Sequence, residues 1–140
     1  MGPNQMTSNW DGYTSFTIYG QPVSKKNQMQ MARSKSGRLF PVPSAAYRKW
    51  LTLAKQQISG LDILHIDEPI HLRIVAFRHT KRNIDLSNIY AAVEDMLQKL
   101  GVIKDDGQVQ SHDGSRKILG VPEGDAKVKI EITRFEGDGC

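Results

Sequence analysis

The chain has 140 residues, 39% hydrophobic and 24% charged, which suits one small soluble domain and excludes a disordered chain. No apolar run approaches the ~20 residues of a bilayer-spanning helix, and the first residues lack a signal peptide's apolar core, so a cytoplasmic protein without a membrane partner is expected. Its net charge of +4 is uneven: residues 1–60 carry eight Lys/Arg and one acid (8 − 1 = +7), residues 61–140 eleven against fourteen (11 − 14 = −3), a split that suggests a polyanion gripped by the first half.

Residues 1–12, MGPNQMTSNWDG, read as a flexible polar arm, residues 13–136 as the domain, and residues 137–140 as a tail. TSFTIYG (14–20) is rich in β-branched and aromatic residues and predicts a strand. A long polar and basic segment from Gln21 to Pro43 reads as a functional loop, with a short hairpin around SKSGR. Ser44 then caps a helix with apolar Tyr47, Trp50, Leu51, Ala54 and Ile58 at helical spacing, closed by Gly60. Ile70, Leu72, Ile74 and Ala76 alternate as a half-buried strand. A second helix runs over about 86–100 on Ile89, Ala92, Val93, Met96, Leu97 and Leu100, with Gly101 at its C-terminal cap. One more strand follows VIKDDGQ, best near Val109 and Lys117–Val121, and Val128, Ile130 and Ile132 mark the last. The order βαβαββ, with neighbouring late strands, predicts a small α+β domain with a mixed sheet and helices on one face.

The residues able to carry chemistry are few. Asp85, at a helix start, is either an N-cap or an oxygen ligand for a hard cation such as Mg²⁺. The acidic pair in DDGQ (105–108), taken alone, is ordinary turn chemistry, and His112–Asp113 reads as a surface turn. The only cysteine, Cys140, excludes a disulfide framework and a cysteine-based metal site. A straight helix over residues 86–100 spans ~22 Å at 1.5 Å per residue, which sets Asp85 and Asp106 at opposite ends unless segment 101–106 folds back or a two-fold dimer brings Asp85 of one chain beside Asp106 of the other.

Taken together, PVSKKN, PVPSAAYRKW, NIDLSNIYAAVEDMLQKLGVIKDDGQV and then Lys117 resemble the RusA family of Holliday junction resolvases, including its phage and prophage members, over roughly residues 14–135. The resemblance implies a homodimeric endodeoxyribonuclease of DNA recombination and repair. It would bind branched DNA, nick four-way junctions symmetrically and depend on Mg²⁺, with Mn²⁺ as a substitute. It also implies catalytic roles for Asp85, Asp106 and Asp105, metal ligation by Asp85, Asp106, Ser87 and Asn88, and DNA contacts from Lys25, Lys26 and Asn27. The nearby basic residues Arg33, Lys35, Arg38, Lys81, Arg82 and Lys117 join that DNA-binding set. Two departures stand out: Ser87 occupies a position where the best-known members carry a second aspartate, and Ala91 one where they carry a lysine. Glu94 and Asp95, on the same helix, are candidates to compensate with a carboxylate, against the plainer reading of a solvated helix face. The departures leave a rival in view, a junction-binding protein of the same fold with weak or no cleavage.

Overall fold

Period-two alternation of apolar residues builds a sheet, and two helices cover one of its faces. The computed structural model describes residues 12–23, 29–59, 65–81 and 86–136. Within them run β1 (Tyr13–Tyr19), β2 (Met29–Arg33), β3 (Leu39–Pro43), α1 (Ala45–Ser59), β4 (Ile70–Arg78), α2 (Leu86–Lys99), β5 (Val109–Ser111), β6 (Arg116–Leu119) and β7 (Lys127–Arg134). Single 3-10 turns lie at Asp106–Gln108 and Glu123–Asp125. The main sheet is ordered β1-β7-β4 with antiparallel pairing, and β5 and β6 follow one another along the far edge of β4, both parallel to it.

The register aligns Thr14, Ile132 and Leu72 in one row across the sheet, then Phe16, Ile130 and Ile74, then Ile18, Val128 and Ala76. All of these side chains are buried. Trp50, Ala54 and Ile58 of α1 and Ile89, Ala92, Val93, Met96 and Leu97 of α2 join the same core. Each large side chain removed from water there stabilises the fold by about 1.5–3 kcal/mol. Both helices therefore belong to one face, and the other carries Arg73, Arg116, Lys129 and Glu131 around a shallow cleft.

Helix ends follow local chemistry. The Ser44 hydroxyl accepts the Tyr47 amide at 3.1 Å, which satisfies one donor of the first turn of α1. Past α2, Gly101 takes φ +80°, and the Val102 amide reaches back to the Leu97 carbonyl at 2.9 Å, a Schellman closure. The Gln57 side chain on α1 lies against the free edge of β1, accepting the Tyr19 amide at 2.7 Å and donating to its carbonyl at 2.9 Å.

The α+β class and mixed sheet stand as expected, with more strands than βαβαββ. The basic segment after β1 holds an antiparallel hairpin, β2–β3, turning at residues 34–38 and pairing with no other described strand. The strand expected across residues 109–121 is split in two, because Gly114 adopts φ +84° and the Ser115 amide closes a turn on the His112 carbonyl at 3.0 Å. The late strands are not neighbours: β7 lies on one side of β4 and β6 on the other. Their connection crosses the end of β4, where the Val121 amide donates to the Arg78 carbonyl at 3.0 Å. Gly12, expected in the arm, already accepts the Arg134 amide at 2.9 Å and so extends the β1–β7 pairing. Gly60, the rest of the arm and the tail 137–140 lie outside the described residues. Among the described residues, no helix is long and apolar enough to cross a membrane.

Candidate functional site

Helix α2 buries one stripe and turns Ser87, Asn88, Ala91, Glu94 and Asp95 away from it, Ser87 exposed and the other four half-buried. The chain then folds back along its last turns. The Asp106 amide donates to Gln98 Oε1 at 3.1 Å, so the acidic turn sits beside α2 rather than beyond its end.

That turn is tightly specified. Asp105 caps it, its Oδ1 accepting the Gly107 amide at 2.8 Å, while Gln108 Oε1 accepts the amides of Lys104 (2.7 Å) and Asp105 (2.8 Å). Gln108 Nε2 in turn donates to the carbonyls of Ile66 (2.9 Å) and Glu68 (3.0 Å), tying the turn to the core side of the sheet. DDGQ is thus a capping box. The Gly107 amide is the chief influence holding the Asp105 carboxyl below its ordinary pKa. Asp105 is thereby engaged as the cap, and both acids of the pair are exposed.

Beside it stands a pair that sequence reasoning treated separately. Glu94 Oε2 lies 2.5 Å from His112 Nε2, and the imidazole stacks on Tyr90 with ring centroids 4.0 Å apart and planes 5° from parallel. Burial pushes the Glu94 carboxyl up, partly offset by the His112 hydrogen bond and charge, and the negative charge of Asp106 pushes it further up. His112 is therefore not a free surface turn residue, and Glu94 is not a solvated helix position. The signal was the spacing Tyr90–Glu94, one helical turn, which places a ring and a carboxylate on one face. Asp95 behaves differently: it accepts the hydroxyl of buried Tyr47 and fastens α2 to α1. Of the two candidates, Glu94 is the one within reach of the charge of Asp106.

The expected DNA-contacting residues are spread over the surface. Arg33, Lys35 and Arg38 are exposed around the β2–β3 turn, with Arg33 Nη1 donating to the Gly37 carbonyl at 2.9 Å. Lys81 is exposed past the end of β4, and Lys117 is half-buried on β6, opposite Ala76 in the parallel register. Asp85, Arg82, Lys25, Lys26 and Asn27 lie outside the described residues.

Among the described residues, no three His, Cys, Asp or Glu side chains form a ready metal site. Asp106 and Glu94 bring carboxylate oxygens close enough to feel each other's charge, which is the donor type a hard cation takes, whereas the neutral oxygens of Ser87 and Asn88 lie ~9–10 Å farther along α2, beyond reach of the same ion within one protomer. A family model described as endodeoxyribonuclease RusA matches residues 19–133, most of the chain. No curated protein matches the chain significantly.

Proposed function

The chain belongs to the RusA family of endodeoxyribonucleases, and from that premise we propose that it is a Mg²⁺-dependent nuclease, Mn²⁺ substituting, that binds four-way DNA junctions as a homodimer and nicks opposing strands. The observation that carries this reading is the exposed Asp106 in its braced turn beside Glu94 on α2, the helix whose first residue directly follows Asp85.

Asp85 and Asp106 would hold the cation, with Asp105, Ser87 and Asn88 as nearby oxygens. When bound, the ion supplies charge stabilisation at the scissile phosphate and a more acidic attacking water. The protein's own residues do the positioning. Gln98 and Gln108 fix the acidic turn, and the Tyr90–His112–Glu94 stack braces the β5–β6 turn against α2. Exposed Arg33, Lys35, Arg38 and Lys81, together with Lys117, Arg82, Lys25, Lys26 and Asn27, would contact backbone phosphates, giving affinity without sequence readout.

Leu86 lies eight residues from Glu94 and twelve from Gln98, the two α2 residues near Asp106, or ~12–18 Å along the axis. One cation does not bridge that span, so the two-fold dimer would bring Asp85 of one protomer beside Asp106 of its partner, giving two equivalent sites for the two related nicks.

A second reading, a junction-binding protein with weak or no cleavage, is favoured by Ser87 and Ala91, which supply neither the extra carboxylate nor the cation found in the best-known members. Cleavage of a labelled four-way junction with and without Mg²⁺ or Mn²⁺ separates the two. Paired metal-dependent nicks that vanish in Asp106→Asn and Asp85→Asn are expected. Tight branch-specific binding without cutting, restored to cutting by Ser87→Asp, would establish the second reading instead.

A further inference from the structure

Where β1 and β4 end, several buried polar groups lack hydrogen-bond partners. Among the described residues, Nε and Nη1 of Arg78, Nε1 of Trp50 and Oγ1 of Thr80 are buried and have no hydrogen-bond partner. Arg78 is 8% exposed and Trp50 3%.

These atoms share one end of the sheet. Tyr19 and Phe77 both register with Lys127, so the next row contains Gly20, Ala126 and Arg78, and the Gly20 amide donates to the Ala126 carbonyl at 2.9 Å. A methyl group at Gly20 would lie 3.7 Å from Trp50 Cδ1, the atom bonded to Nε1. The His79 amide donates to Gln21 Oε1 at 3.1 Å, so residues 20–21 bridge from Trp50 to the segment 78–80. Arg78 continues the inward series Leu72, Ile74 and Ala76, so it stands where the strand pattern otherwise places an apolar side chain.

A guanidinium in that position is costly. It remains charged, burial opposes the charge and lowers its pKa, and no described carboxylate pairs with it. Of the neighbouring orphan groups, the Trp50 indole N–H only donates, while the Thr80 hydroxyl can donate or accept. Unpartnered buried donors at one end of the sheet suit an anion with many oxygens, and arginine is the side chain best suited to phosphate.

We propose that Arg78, Trp50 and Thr80 form a phosphate-binding site at this end of the sheet, filled by a phosphodiester of the DNA substrate. The choice of DNA as the source rests on the function proposed above; the phosphate chemistry does not. Lys81, exposed three residues on, adds a second positive charge on the same segment.

The test uses the full chain in a Trp10→Phe background, so that Trp50 is the only tryptophan. Thermal unfolding and tryptophan emission are followed with sodium phosphate against sodium chloride at equal ionic strength. Phosphate should raise Tm by several degrees and shift the Trp50 emission. Arg78→Met should unfold at a higher temperature than its parent without phosphate, since an unpaired charge is gone, and should show neither response. A lower Tm for Arg78→Met, or an undiminished phosphate response in it, overturns the site. Thr80→Val gives a second reading with less disturbance: a phosphate response equal to that of the parent also overturns it. For the source, Arg78→Met should bind a four-way junction about tenfold more weakly, with the slope of log K against log salt shallower by about one. Unchanged junction binding alongside a lost response to inorganic phosphate would assign the site to free phosphate and overturn the DNA assignment. Metal-dependent cleavage tests the nuclease reading separately.

Discussion

Replacing His112 by alanine tests whether the Tyr90–His112–Glu94 stack fastens the β5–β6 turn to α2. The pair is largely withdrawn from water, with 29% of the His112 side chain and 16% of Glu94 exposed. A hydrogen bond to a charged group contributes about 1.5–3 kcal/mol and an aromatic stack about 0.5–1.5 kcal/mol. Discounted for the partial exposure of the imidazole, the expected loss is about 2–3 kcal/mol, or a Tm lower by roughly 6–15 °C for a chain of this size. A double-mutant cycle with Glu94→Ala, measured by urea denaturation, should give a coupling of at least about 1 kcal/mol. The loss should also depend on pH. The folded state raises the Glu94 pKa, so the stability linked to its proton is fully present below the ordinary value of 4.5 and is lost as pH rises through the folded value. Without His112, two influences that lower that pKa are gone. The gap between variant and parent should therefore widen above pH 4.5 and narrow below it. Additive single losses, or a gap that does not change with pH, would refute the reasoning.

Asp105→Ala should lower the denaturant midpoint by removing the cap, while Asp105→Asn keeps an acceptor and should leave the midpoint nearly unchanged. Gly114→Ala and Gly37→Ala impose a similar backbone strain, at φ +84° and +85°, but only at Gly114 does the new methyl meet a neighbour, Arg73 Nε at 3.0 Å. Gly37→Ala should therefore cost about 1 kcal/mol and Gly114→Ala about 2–3 kcal/mol; equal losses would show that Arg73 yields freely. Ile130→Ala, in the middle of the central row, should cost about 2–5 kcal/mol by calorimetry.

The fold was legible wherever one residue's environment repeats at a fixed period. The rows through Leu72, Ile74 and Ala76 and through Val128, Ile130 and Ile132 could be read directly, as could α1, capped by Ser44, and α2, closed by Gly101. The β2–β3 hairpin was harder, because its strands belong to no layered sheet and carry no buried-face alternation: Met31, Leu39 and Phe40 are exposed. The division of β5 from β6 turns on three or four residues each, too short for any pattern to register. At the candidate site, the acidic pair and the helix start stood out as a motif. The Glu94–His112 contact joins residues eighteen apart in sequence through a turn whose direction the sequence does not specify. Arg78 lies one step past Ala76, where the apolar alternation stops, so the sequence marks the inward position but not that a cation fills it.

The contact of Gln57 with Tyr19 bears on how the sheet avoids unwanted company. In β1, alternate residues direct their amide and carbonyl groups outward, and by the β7 register these are Tyr13, Ser15, Thr17 and Tyr19. Such a row is a template on which a foreign strand can grow. The carboxamide of Gln57 imitates a peptide group and occupies both bonding positions of Tyr19. Among the described residues, an incoming strand is left three rungs, with the Gln57 side chain occupying the fourth. The opposite border of the sheet is broken by the turn at Gly114, so neither margin offers a long continuous ladder. A side chain from a helix thereby serves as a one-residue strand, and replacing Gln57 with an apolar residue would reopen the rung without disturbing the core beneath it.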